Sequence, residues 1–344
     1  MKLLLRLFML LVVLPIFGQE EASEEETKSF TVSGSIDAYF RTNITGPNEA
    51  FEAGGETFFL NPGTSFANRS GFSLGMANVI LNYEGEKVGF VADLVFGPRG
   101  EDAVFLSVAS SNIVNQLYAY WNVSETVTLS LGNFNTFLGY EVISPTGNFN
   151  YSTSYMFSNG PFSHTGIKAD LSLSDDFSLM LAVMNSTDFT EINLDGSYTA
   201  GAQLGYKDQF LNLIYGEQTG TTGTTFQVDY TGGFDLSDSF FLGINATYND
   251  TDGSGFYGAA FYPQISASDA LSFGLRGEYF GVHADDIDDE TVFAATLSAN
   301  YKVENLTIIP ELRLDSWSED VYFDNDLEPT KSLASFLLAA VYSF

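Results

Sequence analysis

The chain of 344 residues has no cysteine, two histidines, two tryptophans, and only 13 lysines and arginines against 44 aspartates and glutamates. Without thiols there is no disulfide framework and no lipid-anchored cysteine. A secreted fold of this sequence must therefore rest on a large ladder or core of its own. Two separated histidines and no thiol provide no transition-metal cluster, so no metal or other cofactor is expected. The net charge of −31 makes nucleic acid and anionic lipid poor partners. Beyond residue 17 no apolar run approaches the roughly 18 residues that a membrane helix needs. If the chain crosses a membrane, it crosses as strands.

What the sequence does contain begins with an export signature. Lys2 and Arg6 introduce an apolar run over residues 7–17, followed by Gly18-Gln19 and then the acidic stretch 20–26. This reads as a signal peptide over residues 1–19, its apolar core too short to span. The mature chain then carries 44 acids against 11 bases, or −33. Residues 20–28 are acidic and aperiodic, which predicts a short disordered periplasmic stub. Residues 29–344 remain for a single domain.

That domain is rich in glycine (32), phenylalanine (32) and tyrosine (18). Sixteen segments alternate apolar and polar residues with period two: 29–40, 70–83, 88–96, 112–123, 127–138, 163–174, 177–185, 199–207, 210–218, 224–236, 240–249, 255–267, 271–282, 291–303, 306–316 and 333–344. The connections alternate as well. Seven are tight (84–87, 124–126, 175–176, 208–209, 237–239, 268–270 and 304–305). Eight are longer (41–69, 97–111, 139–162, 186–198, 219–223, 250–254, 283–290 and 317–332). Sorting of loops by parity predicts an all-β, up-and-down antiparallel transmembrane barrel of about 16 strands. Its short turns and both termini would be periplasmic and its long loops external.

The faces agree with that reading. In the first segment Phe30, Val32, Gly34, Ile36, Ala38 and Phe40 alternate with Thr31, Ser33, Ser35, Asp37, Tyr39 and Arg41. In the fourteenth, Phe293, Ala295, Leu297, Ala299, Tyr301 and Val303 oppose Thr296, Ser298, Asn300 and Lys302. Lipid outside and water inside demand this pattern. The last strand ends on Phe344, on the outward parity with Tyr342, Ala340, Leu338 and Phe336. Phe344 is expected to close the barrel and to be read by the assembly machinery.

Sixteen strands leave a water-filled channel, so polar inward positions are expected to line a solvated pore. The wall candidates by parity are Asp37, Arg41, Asp93, Lys168, Asp170, Gln203, Asp229, Arg276, Glu278, Lys302, Glu311, Arg313 and Asp315. Bases are too few for an anion-selective ladder. The 24-residue loop 139–162 is aromatic and asparagine-rich, and long loops of this kind serve function or fold back on the protein. It is expected to enter the lumen as a constriction. Tyr140, Phe149, Tyr151, Tyr155 and Phe157 would pack on the wall, while Glu141, Asn148 and Asn150 would face water opposite Arg41, Arg276 or Arg313.

Catalytic signals are weak. Ser163 and His164 are neighbours on opposite faces of a strand and cannot form a nucleophile–base pair, and His283 reads as an exposed loop residue. The run 250–255 starts like a calcium loop, but its twelfth position is Phe261 rather than glutamate. The acids 285–290 read as solvated turn residues. No catalysis is expected.

Several stretches resemble a known family. These are Gly34-Ser-Ile-Asp-Ala-Tyr-Phe40, Val88-Gly-Phe-Val-Ala-Asp-Leu-Val-Phe-Gly-Pro98, Asn115-Gln-Leu-Tyr-Ala-Tyr120 and Gly132-Asn-Phe-Asn-Thr-Phe-Leu-Gly-Tyr-Glu-Val-Ile143. They are joined by Asn148-Phe-Asn-Tyr-Ser152 and Pro161-Phe-Ser-His-Thr-Gly166. Together they resemble the OmpL-like outer-membrane β-barrel porins, most densely over residues 30–215, with Asn133 where a lysine is common. The resemblance implies a porin of a Gram-negative outer membrane. Its partners would be outer-membrane lipid, lipopolysaccharide, the barrel-assembly machinery and small hydrophilic solutes, with a homo-oligomer left open. The expected function is passive diffusion with mild cation preference. Two alternatives stay open. One is a sugar or oligopeptide porin sliding its substrate over Tyr39, Tyr118, Tyr120 and Tyr151. The other is a structural or surface-binding barrel plugged by its loops.

Overall fold

Alternating strand segments joined by tight turns pair with their chain neighbours, and here the pairing runs full circle. The computed structural model describes residues 28–53, 56–221 and 223–344. The signal peptide, and all of the acidic stub except Lys28, lie outside the described residues. The barrel strands are β1 (Ser29–Asn43), β2 (Gly71–Glu84), β3 (Val88–Phe96), β4 (Val114–Ser124), β5 (Val127–Asn135), β6 (Ser163–Ser172), β7 (Phe177–Met184) and β8 (Thr199–Tyr206). They continue as β9 (Gln209–Glu217), β10 (Thr224–Ser237), β11 (Phe240–Thr251), β12 (Ser254–Ser268), β13 (Leu271–Ala284), β14 (Ile287–Val303), β15 (Leu306–Trp317) and β16 (Ser332–Ser343). Every strand is antiparallel to the next, and β16 pairs with β1 in the register Ser35↔Ser343 to Asn43↔Ser335. Closure leaves no ladder edge open, as a strand fold in lipid requires.

Strand number, order and connection parity follow the sequence pattern. Two loops depart from it. The segments 250–254 and 283–290 shrink to the two-residue turns Asp252-Gly253 and Asp285-Asp286, because β11 to β14 run further than their apolar stretches. Asp252 and Gly253 both take positive φ (54° and 82°). This left-handed pair continues the twist of the flanking strands, so a hairpin wins over a loop. The connection 218–223 stays longer than any on the other rim, as expected of 219–223. The remaining long connections on that rim are 44–70, 97–113, 136–162, 185–198 and 318–331, whereas every connection on the other rim spans four residues or fewer. The acids at 288–290 extend a strand tip rather than occupy a loop.

Outward residues such as Phe30, Ile36, Phe72, Leu131, Phe261, Phe293 and Leu312 are exposed around the whole circumference. An apolar band of this extent far exceeds the patches that water tolerates on a monomer, so its solvent is lipid. Two short helices lie on the long-loop rim or within the loops, α1 (Pro98–Ala103) and α2 (Tyr155–Asn159).

Phe344 extends the closing seam by one more pair. Its N–H donates to the Gly34 carbonyl and its carbonyl accepts from the Gly34 N–H, each at 3.0 Å. Its ring lies over Gly34, where an added Cβ would meet it at 2.9 Å. Deleting Phe344 removes two ladder bonds and should cost about 1–3 kcal/mol. Urea titration of the barrel in vesicles should show that loss, and gels run with and without boiling should show less folded protein. Unchanged unfolding would show that the seam does not depend on Phe344.

Candidate functional site

The chain leaves β5 after Asn135 and rejoins β6 at Ser163, and between them it lies inside the barrel. Most of this segment is irregular, so its amides and carbonyls lack the partners that a helix or strand would supply. Side chains of the wall supply them instead. The Asp229 carboxylate accepts from Gly139 N–H at 2.9 Å, and Glu311 accepts from Tyr151 N–H at 3.0 Å. Glu278 accepts from both Tyr155 (3.0 Å) and Met156 (2.9 Å) at the start of α2, the end that favours negative charge. Carbonyls are met by arginines: Arg276 donates to Ser152 (2.6 Å), Arg313 to Thr153 (2.8 Å) and Arg99 of α1 to Ile143 (2.8 Å). Asp188, from the loop after β7, accepts from Phe162 (2.6 Å) and Ser163 (3.0 Å) where the segment rejoins the wall.

Side chains of the segment reach the wall in the same way. The Tyr151 hydroxyl donates to Asp37. The Tyr155 hydroxyl lies 2.9 Å from the Asp315 carboxylate, 2.8 Å from the Pro62 carbonyl and 3.0 Å from the Tyr322 hydroxyl. Burial pushes both tyrosines well above the ordinary phenol pKa, with Asp37 and Asp315 adding to the effect, so both stay protonated donors. Glu141 is paired with Arg276 at 2.6 Å, and both side chains are essentially dry. Inward-facing glycines make room for the bulkier groups. A Cβ at Gly243 would overlap Tyr140, at Gly274 Phe149, at Gly258 Met156 and at Gly75 the Asp37–Tyr151 contact. Four missing side chains on the wall are thus sockets for the inserted segment.

The predicted wall residues sort into two groups. Asp37, Arg41, Asp93, Asp229, Arg276, Glu278, Glu311, Arg313 and Asp315 are buried and do not line a solvated pore. Backbone groups, side-chain amides or a partner charge take the place of water at these side chains. Arg313 pairs with Asp315 at 2.9 Å. Asp93 accepts from Asn78 and Asn115, and Arg41 donates to Asn43 (2.7 Å) and to the Leu60 carbonyl (3.3 Å). Lys168 and Asp170, paired at 2.8 Å and 23% and 42% exposed, remain partly wet, and Lys302 is exposed. Within the segment Glu141 and Asn150 are buried rather than turned to water, because one meets Arg276 and the other donates to Ser298 at 2.8 Å. Asn148 is half-buried and folds back on both backbone groups of Val142. Phe157 joins an apolar cluster with Met76 of β2 and Val95 of β3 on the wall and with Phe66, Ile143 and Phe162 from the loops.

The four tyrosines proposed as a sliding track are separated. Tyr39 and Tyr151 are buried against each other, ring centroids 5.7 Å apart, whereas Tyr118 and Tyr120 sit half-buried on β4. His164 is fully buried, bonded to Thr136 at 2.9 Å. His283 lies on β13, not in a loop, and stacks on Tyr248. Sequence reasoning missed Arg99, Asp188, Pro62 and Tyr322, which act from other loops and carry no periodic signal. The socket glycines were legible as inward-parity glycines in otherwise bulky strands.

Between the segment and the wall near the short-turn rim remains a cavity of about 610 Å³, lined by Tyr140 and residues 145–149 on one side and by β11, β12 and β14 to β16 on the other.

If the wall charges hold the segment, Arg276→Ala should leave Glu141 buried without its counter-charge, with only the Ser154 N–H still bonded to it at 2.7 Å, and cost about 3–5 kcal/mol. Gly274→Val should displace Phe149. In both variants chymotrypsin should cut the folded barrel between residues 140 and 157, where the unaltered protein resists. Equal resistance would show that the segment is held by other contacts.

Three solved structures share this architecture. The outer membrane channel DcaP of Acinetobacter baumannii aligns with a TM-score of 0.60 at 14% identity, covering 94% of this chain and 99% of that one. The anion-selective porin from Comamonas acidovorans aligns at 0.62 and 10%, covering 92% and 100%. OmpT of Vibrio cholerae aligns at 0.56 and 12%, covering 94% and 100%. At such identities the likeness is one of fold. No curated protein matches the chain. The sixteen-stranded closed barrel is that of outer-membrane porins, which move solutes across that membrane. Residues 29–344 match the family described as "Putative beta-barrel porin-2, OmpL-like", and the chain belongs to that family.

Proposed function

We propose that the barrel admits small hydrophilic solutes by passive diffusion, prefers cations mildly and catalyses nothing. The observation that carries this reading is the polar cavity left beside an inserted segment whose backbone is hydrogen-bonded to side chains of the wall. Such a segment narrows a lumen and keeps a fixed shape. Charges inside it are paired or bonded to backbone, so the field felt by an ion comes mostly from exposed groups. Those are strongly acidic, with Glu319, Asp320, Asp326 and Glu328 on one loop and Asp288 to Glu290 on a strand tip. Screening over about 8 Å at physiological salt keeps the preference modest. The same reading takes residues 1–19 as a signal peptide, puts the short turns and both termini in the periplasm of a Gram-negative cell, and has the assembly machinery and lipopolysaccharide as partners.

A second reading is a plugged structural barrel. The packing of Pro62, Tyr155 and Tyr322 at the long-loop mouth favours it. Liposome swelling separates the two, because only a diffusion pore admits small sugars.

Planar-bilayer recordings under a KCl gradient should give a reversal potential of cation-selective sign that grows as salt is lowered. An anion-selective sign at low salt would end the electrostatic reading. Replacing residues 144–158 with a short Gly-Ser linker should raise single-channel conductance and admit larger sugars. Unchanged conductance in a folded variant would place the constriction elsewhere.

A further inference from the structure

We infer that the cavity at the short-turn rim is a binding subsite for neutral carbohydrates, which deepens the diffusion reading by naming its substrate class. Three aromatic residues border the cavity. Tyr140 and Phe149 come from the inserted segment and Phe241 from β11. Tyr140 is fixed by stacking on Tyr262, with centroids 4.2 Å apart and planes 23° apart, and Phe149 is seated on Gly274. Rings held in this way offer apolar surface to the C–H faces of a sugar ring. Between them stand hydrogen-bonding groups suited to hydroxyls: the Gln264 and Asn300 amides and the Thr307 hydroxyl. Asn300 donates one of its two amide hydrogens to the Phe149 carbonyl at 3.1 Å, and its buried side-chain oxygen has no partner. A sugar hydroxyl reaching it would supply the missing donor.

The charge at the site argues for a neutral ligand. One lysine and one glutamate, Lys302 and Glu304, border the cavity, and Lys302 is in no ion pair among the described residues. A single base beside an acid does not hold an anion in a barrel of this net charge. Peptide recognition by strand addition needs an open sheet edge, and the closed barrel has none. The volume of about 610 Å³ lies within the roughly 300–1,000 Å³ of small-molecule sites, enough for a mono- or disaccharide.

Calorimetric titration of the barrel folded in detergent should give a saturable heat with maltose. Thr307→Val, which touches no residue of the inserted segment among the described hydrogen bonds, and Asn300→Ala should each weaken binding about tenfold. Lys168→Ala, on a strand outside the cavity, should leave it within about twofold. In bilayers the same sugar should reduce the KCl current reversibly, more strongly from the short-turn side. KCl conductance with no sugar heat and no block would overturn the subsite and leave the diffusion reading intact. Sugar heat without KCl conductance would uphold the subsite and end the diffusion reading. Tighter binding of a charged dipeptide or of gluconate, or maltose binding unaffected by either cavity variant, would also overturn the assignment.

Discussion

An irregular stretch of chain cannot enter a barrel unless each of its amides and carbonyls finds a partner there, and the interior of this protein is arranged around that requirement. Carboxylates of the wall take up N–H groups at Gly139, Tyr151, Tyr155 and Met156, and arginines take up carbonyls at Ile143, Ser152 and Thr153. The charges are therefore not a lining in the first place. They substitute for the ladder that the segment lacks, and the segment's dipoles substitute for the water that the charges lost. Each half explains why the other can be buried.

The same exchange decides what the lumen presents to a solute. Arg276, Arg313, Glu141 and Asp315 compensate one another at distances of 2.6 to 2.9 Å in the absence of water. They add rigidity and little field. Lys168, Asp170 and Lys302 remain in contact with solvent. Steric complementarity runs alongside the electrostatics. Glycines at 75, 243, 258 and 274 lower the wall where Tyr140, Phe149, Tyr151 and Met156 need depth. A strand interior tolerates glycine poorly, so its presence on one face marks a close approach.

On its outer surface the barrel faces the opposite constraint. Lipid offers no partner for a polar group, so closure through β1, β16 and the Phe344–Gly34 pair is as necessary as the apolar band itself. The two solvents of this chain, lipid and the inserted loop, meet across a wall one residue thick, and the period of two keeps their requirements apart.

How much could be read in advance follows from range. Strand number and the inward or outward parity of residues depend on local alternation and turn chemistry, and both were legible in the sequence. The tight Asp-Gly and Asp-Asp hairpins were misread because acids hid the continuing ladder at 250–254 and 283–290. Burial of Asp37, Glu278, Glu311 and Arg276 was not legible at all. Parity places a side chain inside the barrel, but whether it meets water or backbone depends on a segment up to 160 residues away in the chain. The sequence by itself determined a barrel with polar groups inside. Only the tertiary structure decided that those groups hold a loop rather than line a pore, because desolvation depends on which distant atoms fill the space.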